Sequence, residues 1–170
     1  DGGKAILAKE IALIENGFRF KLQSSIASGE AETHLIGRFA ISNVLMSFAV
    51  VQACCDPGLA PTLLAKLREI TAIKGRLQML KAKDKPTVII DYAHTPDALE
   101  KVLEAAKDHT SHHVHVVFGC GGHRDATKRA PMAKAAENYA DHVTVTSDNP
   151  RREDPKRIAA DILKGFNQLD

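Results

Sequence analysis

Four residues in the last third of the chain, Asp148-Asn149-Pro150-Arg151, combine an acid, an amide and a guanidinium within one turn. They follow His142-Val143-Thr144-Val145-Thr146, whose alternation of apolar and polar residues predicts a strand. Pro150 fixes its own φ and biases Asn149 away from the helical region, so the turn is stiff. A guanidinium meets a carboxylate with two parallel donors, and a carboxylate is the natural counter-charge of an ammonium. The set therefore suits a ligand that carries both groups, as an amino acid does. These residue types are also the commonest turn formers, and the quartet by itself admits that plainer reading.

A second loop, Gly119-Cys120-Gly121-Gly122, follows an apolar strand and permits close backbone approach to an anionic ligand, with His123, Arg124, Asp125, Lys128 and Arg129 adding charge around it. It matches neither the dinucleotide fingerprint nor a Walker A sequence, and a tight strand-to-helix turn with positive φ is the other reading of its glycines. Arg124 stands apart, because a charged residue in a strand-end loop has little packing reason to be there. Cys120 and His123, with His112, His113 and His115 nearby, do not complete a four-ligand metal set, so no metal residue is assigned and Cys120 reads as a small residue in a tight loop. Asp91 lies at a strand tip, where a ribose-binding carboxylate or a turn residue would sit. His94, just ahead of a capped helix, either orients that turn or touches ligand.

The elements that must position these residues follow from periodicity. Thr87-Val88-Ile89-Ile90 is a continuous β-branched run of the kind buried on both faces of a parallel sheet. Thr95 caps a helix with Pro96 at its first position and Leu99, Val102, Leu103 and Ala106 inward. The second βα unit is Val114 to Phe118, the glycine loop and a helix near Pro131 to Tyr139. The third is the strand ending in the claw, then Asp154 as cap, Pro155, and Ile158, Ile162, Leu163 and Phe166 inward, with an apparent helix persisting to Phe166-Asn167-Gln168. Successive βα units predict a right-handed, doubly wound parallel sheet, whose ligand crevice lies outside the carboxyl ends of its strands. All three loops fall there.

The first half reads differently. Asn16-Gly17 forms a hairpin between Ala12–Ile14 and Phe18–Leu22, with Phe18, Phe20 and Leu22 on one face. A short strand through Glu32 to Ile36 leads to a helix with Ile41, Val44, Leu45, Phe48 and Ala49 at helical spacing, ended by Asp56-Pro57-Gly58. Pro61 opens another helix with Leu63, Leu64, Leu67 and Ile70 inward. The stretch from Thr71 to Pro86, with its charged run Lys81 to Lys85, marks a domain boundary near residue 83 and holds at most short extended pieces.

The 170 residues carry 44% hydrophobic content, enough for a packed core, and 23 basic against 21 acidic residues in a well-mixed order, net +2. Such a balance offers no field for nucleic acid. The longest apolar stretch, Phe39 to Cys55, is interrupted by Ser42, Asn43, Ser47 and Gln52, which suits an amphipathic helix and not a membrane span. Three cysteines, Cys54 and Cys55 adjacent, make no disulfide framework and predict a reducing cytoplasm. The opening Asp1-Gly2-Gly3 has no initiator methionine, as expected of a piece of a longer protein.

Several segments taken in order resemble the Mur ligases, the ATP-dependent amide-forming enzymes of peptidoglycan synthesis. They are Gly37-Arg38-Phe39-Ala40-Ile41-Ser42-Asn43, Gly75-Arg76, Asp91-Tyr92-Ala93-His94-Thr95-Pro96-Asp97-Ala98-Leu99, Phe118-Gly119-Cys120-Gly121-Gly122 and Asp148-Asn149-Pro150-Arg151. The resemblance implies that residues 1–83 are the last strands and helices of an α/β ATPase domain, and 84–170 the start of a Rossmann-like C-terminal domain that binds an amino acid. It implies nucleotide contacts for Asn43, Arg76 and Asp91, and contacts to meso-diaminopimelate for Arg124, Asp148, Asn149, Pro150 and Arg151, with His94 in support. It further implies ATP and magnesium, with UDP-MurNAc-L-Ala-D-Glu as acceptor, a monomer, and no membrane partner. The sequence departs from the family at His123, where Asp is usual, at Ala40, where Asn is usual, and at Thr127-Lys128-Arg129-Ala130, where Gly-Lys-Arg-Pro is usual. By the same resemblance the P-loop, the carbamylated lysine that helps hold magnesium, the UDP-binding domain and a Gly-Lys-Gly-His-Glu segment lie outside these residues, so the fragment alone is expected to be inactive. The alternatives are another ligase of the superfamily, lysine-adding or folylpolyglutamate-forming, and a non-catalytic Rossmann-like module that senses an amino acid or nucleotide.

Overall fold

The computed structural model describes residues 5–54 and 56–168, so Cys55 and the opening Asp1-Gly2-Gly3 lie outside the described residues. The chain divides into two compact units, Asp1–Ile90 and Asp91–Asp170.

In the first unit, β1 (Leu7–Ile14), β2 (Gly17–Gln23) and β3 (Ser28–Thr33) form an antiparallel sheet in the order β1-β2-β3. Ile14 pairs with Gly17, so the expected hairpin turns through Glu15-Asn16 and Gly17 opens the return strand. Gly17 has φ 138°, and a Cβ there would lie 1.9 Å from the carbonyl oxygen of Thr33, which rules out a side chain twice over. Period-two alternation sends Phe18, Phe20 and Leu22 to one face, where α1 (Arg38–Cys54) covers them with Ile41, Val44 and Phe48. Burying such a set of aromatic and branched side chains is what holds this unit, at about 1.5–3 kcal/mol per large side chain. The other face of α1 leaves Met46 and Val50 exposed. α2 (Ala60–Lys66) has Pro61 near its start and continues as a 3-10 turn, Leu67–Glu69, which buries Leu67. Two expectations are corrected here: β3 starts at Ser28 and stops at Thr33, short of Ile36, and Ile70 is exposed because the chain leaves the helical path there for an extended conformation.

The run before the second unit is also corrected. β4 (Gln78–Leu80) and β5 (Val88–Ile90) pair antiparallel, with Leu80 opposite Val88. The intervening residues reverse the chain through Asp84 at φ 57°, and this local hairpin gives β5 an immediate partner. Val88 and Ile90 stay 49% and 43% exposed, so the β-branched run is not buried on both faces. Among the described residues, β5 has no ladder with the strands that follow.

The second unit is α/β as expected. β6 (His115–Phe118) and β7 (His142–Val145) run parallel in the register His115–His142 to Phe118–Val145. Three helices accompany them: α3 (Pro96–Asp108), α4 (Arg129–Tyr139) and α5 (Pro155–Leu163). Thr95 caps α3 by accepting the Ala98 N–H at 3.3 Å, and Asp154 caps α5 by accepting that of Lys156 at 2.9 Å; both helices begin with proline. Leu99, Leu103, Met132, Ala133, Ala136, Ile158 and Ile162 meet Val114 and Phe118 in one core. Leu163 is exposed, and α5 ends there, ahead of Phe166-Asn167-Gln168; at Gly165 the chain passes so close to Ala130 that a Cβ would stand 2.0 Å from its carbonyl oxygen. No helix among the described residues is long and apolar enough to cross a membrane.

Candidate functional site

Three loops at the carboxyl ends of the strands carry the residues of interest, and within the second unit they are tied to one another by specific bonds. Lys128 Nζ donates to the His94 carbonyl oxygen at 2.6 Å, joining the first loop to the second. The Gly122 N–H donates to the Asn149 carbonyl at 2.9 Å, and Arg151 Nη1 donates to the Gly122 carbonyl at 2.7 Å, joining the second to the third. The glycines serve these joins. A Cβ on Gly119 would lie 2.3 Å from the Thr146 carbonyl oxygen, and one on Gly122 would lie 2.0 Å from that of Pro150. Neither has positive φ, so the requirement is close approach of backbone to backbone. That corrects both readings of the loop at these two positions: the neighbouring loop fills the space, not an anion, and no left-handed turn is needed.

Gly121 differs. A Cβ there would stand 3.1 Å from Arg151 Nη1 and 3.8 Å from Arg124 Cγ, so the two arginine side chains expected to hold ligand flank one bare backbone position. Arg151 sits at φ 52°, and its N–H bonds to the Asn149 side-chain oxygen at 3.3 Å, closing the turn that Pro150 stiffens. A guanidinium has five N–H donors, so the bond to Gly122 orients Arg151 without exhausting it. Asp148 and Asn149 are exposed, and among the described residues no ion pair joins Asp148 to either arginine. Loops that carry an acid, an amide and two arginines thus meet at one rim, with Arg151 Nη1 and Arg124 Cγ next to Gly121.

Beneath that rim lies a feature that the sequence reading placed wrongly. Arg129, expected to add charge around a ligand, is 2% exposed. Its Nη1 and Nη2 donate to Glu153 Oε1 and Oε2 at 2.7 and 2.8 Å, a two-pronged pair, and Nη1 also reaches Asp161 Oδ2 at 3.0 Å. Glu153 in turn accepts the His123 N–H at 3.1 Å and gives its own N–H to the Pro150 carbonyl at 2.9 Å. The bond to Arg129 and that to the His123 amide hold the Glu153 carboxyl down at about 2, and the bond to Glu153 raises Arg129 above its ordinary value. A signal for this was present: Arg129, Met132, Ala133 and Ala136 follow the i, i+3, i+4, i+7 pattern of an inward helix face, so the arginine stands on a buried stripe and requires an acid.

The remaining residues are distributed as follows. His94 is exposed, donates through Nδ1–H to the Tyr92 carbonyl at 3.1 Å, and lies with its ring tilted against that of Tyr92 at 5.2 Å. Asp91 is half-buried directly after β5, in the second unit. Asn43 is exposed on α1 and Arg76 is exposed after Gly75, which has φ 70°; both belong to the first unit. Cys120 is buried with Sγ 3.7 Å from Met132 Sδ, and burial pushes its thiol up, as befits a packing residue. Among the described residues no group of three or more His, Cys, Asp or Glu side chains converges.

Residues 75–169 match the family described as Mur ligase, glutamate ligase domain, and the chain belongs to that family. Within it the chain is similar to proteins named UDP-N-acetylmuramoyl-L-alanyl-D-glutamate--2,6-diaminopimelate ligase: 40% identical over 98% of its length to that of Vibrio vulnificus (strain YJ016), and 46% identical over 98% to that of Ectopseudomonas mendocina (strain ymp). A solved structure of a protein of the same name covers 98% of the chain with a TM-score of 0.64 at 36% identity, and 34% of that protein is matched. The Rossmann-like α/β fold of the family's C-terminal domain is therefore the fold of the second unit. The chain spans about a third, 34%, of the length of the curated relatives it matches.

Proposed function

We propose that this chain is the amino-acid-holding part of an ATP-dependent amide ligase that adds meso-diaminopimelate to UDP-MurNAc-L-Ala-D-Glu in making peptidoglycan precursor. The observation that carries the reading is the convergence on Gly121 of Arg151, through Nη1, and of Arg124, through Cγ, on loops beside an exposed Asp148 that has no ion pair with either among the described residues. Diaminopimelate differs from lysine by one additional carboxylate on the terminal carbon that bears the second amine. A two-guanidinium rim recognises that carboxylate, and Asp148 the ammonium beside it. Asn149 and Pro150 shape the turn that presents them. Residues 1–83 then belong to the ATPase domain and 84–170 to the amino-acid domain, with Asn43, Arg76 and Asp91 meeting the nucleotide and His94 supporting the first loop. Asp91, a carboxylate at a strand tip, is suited to a ribose hydroxyl.

In this reading the chain contributes positioning. The D-glutamyl carboxylate of the acceptor is activated as an acyl phosphate by ATP, and the held amine attacks the acyl carbon, expelling phosphate and losing a proton. Fixing the amine against that carbon converts a bimolecular encounter into a local one, the effect for which enzymes use rigid clamps. The protein is read as a cytoplasmic monomer. The test is phosphate release by the full-length protein with ATP, magnesium, the UDP-linked acceptor and each candidate amino acid in turn. Turnover with meso-diaminopimelate well above that with lysine or glutamate is expected. A preference for lysine or glutamate overturns the reading in favour of another ligase of the superfamily, and no phosphate release with any amino acid favours a binding module.

A further inference from the structure

Glu153 adds to the direct bonds between the second and third loops: its carboxylate takes the His123 N–H of the second loop, and its backbone N–H holds the Pro150 carbonyl of the third. The carboxylate is itself locked from below by two prongs of Arg129, whose side chain is 2% exposed. Arg124 adjoins His123 in sequence, and Arg151 adjoins Pro150. Glu153 thus restrains the backbone next to both arginines, alongside the direct bonds of Gly122 to Asn149 and of Arg151 to Gly122. Asp161 shares Arg129 but acts from α5, and its other partner is Lys164 Nζ at 2.6 Å, so it touches neither loop.

We propose that Glu153, held by Arg129, is a positioning residue for the incoming amino acid: the pair sets the spacing of Arg124 and Arg151 and thereby the affinity for a substrate carboxylate, without touching substrate. The inference rests on the amino-acid-binding reading above. A shared partner explains why a charge is buried here at all. A hydrophobic residue at position 129 would fill the same space, but only a fixed fork can pin a carboxylate in one orientation while that carboxylate's own oxygen accepts a backbone amide. His123, with φ 51°, is held in a left-handed conformation that a non-glycine residue adopts only when its surroundings impose it, and the bond from Glu153 is one such restraint.

The experiment compares Glu153→Gln, Asp161→Asn and Arg151→Ala in the full-length protein by phosphate release, titrating meso-diaminopimelate and ATP separately, with the thermal midpoint as a measure of folding. Glu153→Gln is expected to raise the KM for diaminopimelate by about tenfold, since small misplacements of a clamp are costly, while the KM for ATP moves less than about twofold. Asp161→Asn, which removes a contact to the same arginine, should leave both KM values within about twofold. Should Glu153→Gln not fold, Glu153→Asp keeps the charge against Arg129 but withdraws from the His123 amide, and the same rise is expected. Equal effects of the Glu153 and Asp161 variants on KM, or no effect of the Glu153 variant, overturn the proposal. The Arg151→Ala arm separates the two failures: if it raises the diaminopimelate KM while Glu153→Gln does not, the positioning role is wrong and the site stands; if neither changes it, the site itself is wrong.

Discussion

The sheet of the first unit and the strand-tip loops of the second are both fixed by buried side chains, yet these are opposite in kind. Phe18, Phe20 and Leu22 hold β2 against α1 by area alone, so any side chains of similar bulk would serve. The loops are held by a buried guanidinium fork and by backbone-to-backbone approaches at Gly119 and Gly122, where one atom more is too many. Apolar packing sets where elements lie and tolerates variation in detail. Loops that must be held in one register need directional bonds, and the buried charge of Arg129 lies there.

The comparison yields graded expectations. Phe20→Ala empties a fully buried position in the first unit and should lower stability by about 3–5 kcal/mol in urea unfolding. A loss under about 1 kcal/mol would show that the unit does not depend on this packing. Gly122→Ala forces a Cβ to within 2.0 Å of the Pro150 carbonyl and should cost about 1–3 kcal/mol, together with a raised KM for the amino acid; a neutral result would mean that the loops are not locked together. Thr95→Ala removes the cap of α3 and should cost about 1 kcal/mol by the same unfolding measurement. Arg19→Gln breaks an exposed pair with Glu32 and should change stability by less than about 1 kcal/mol.

Acidity sharpens the contrast further. The Glu153 carboxyl is held at about 2 against an ordinary 4.5, so its contribution to stability is complete above about pH 4.5 and is lost as the pH falls through about 2. Urea midpoints of the wild type should therefore fall more steeply across that window than those of Glu153→Gln, while Phe20→Ala should keep the wild-type slope. Parallel slopes for wild type and Glu153→Gln would contradict the ion pair.

What the sequence made legible follows the same division. Period-two alternation exposed the β2 face, helical spacing exposed the inward stripes of α1, α3 and α5, and Thr95-Pro96 and Asp154-Pro155 announced their helix starts, because each of these signals is local. The antiparallel partner of β5 was not legible: a β-branched run looks the same whichever strand lies beside it. Nor was the role of Glu153, whose partners are 24 and 30 residues away along the chain and are brought to it only by folding. For Arg129 the helical position carried the information and the charge obscured it. The strand-tip quartet was readable in residue type, while its dependence on the bare backbone of Gly121 became visible only in three dimensions.

The proposed selection of an amino acid by its additional carboxylate rests on Arg124 and Arg151, the two arginines next to Gly121. It is tested most directly by the ratio of kcat/KM for meso-diaminopimelate to that for lysine, measured for wild type and Arg151→Ala. Loss of one charge-assisted contact of roughly 1.5–3 kcal/mol should lower that ratio by about 10- to 100-fold, through diaminopimelate alone. A ratio unchanged by the substitution, or lowered through ATP, would contradict the account.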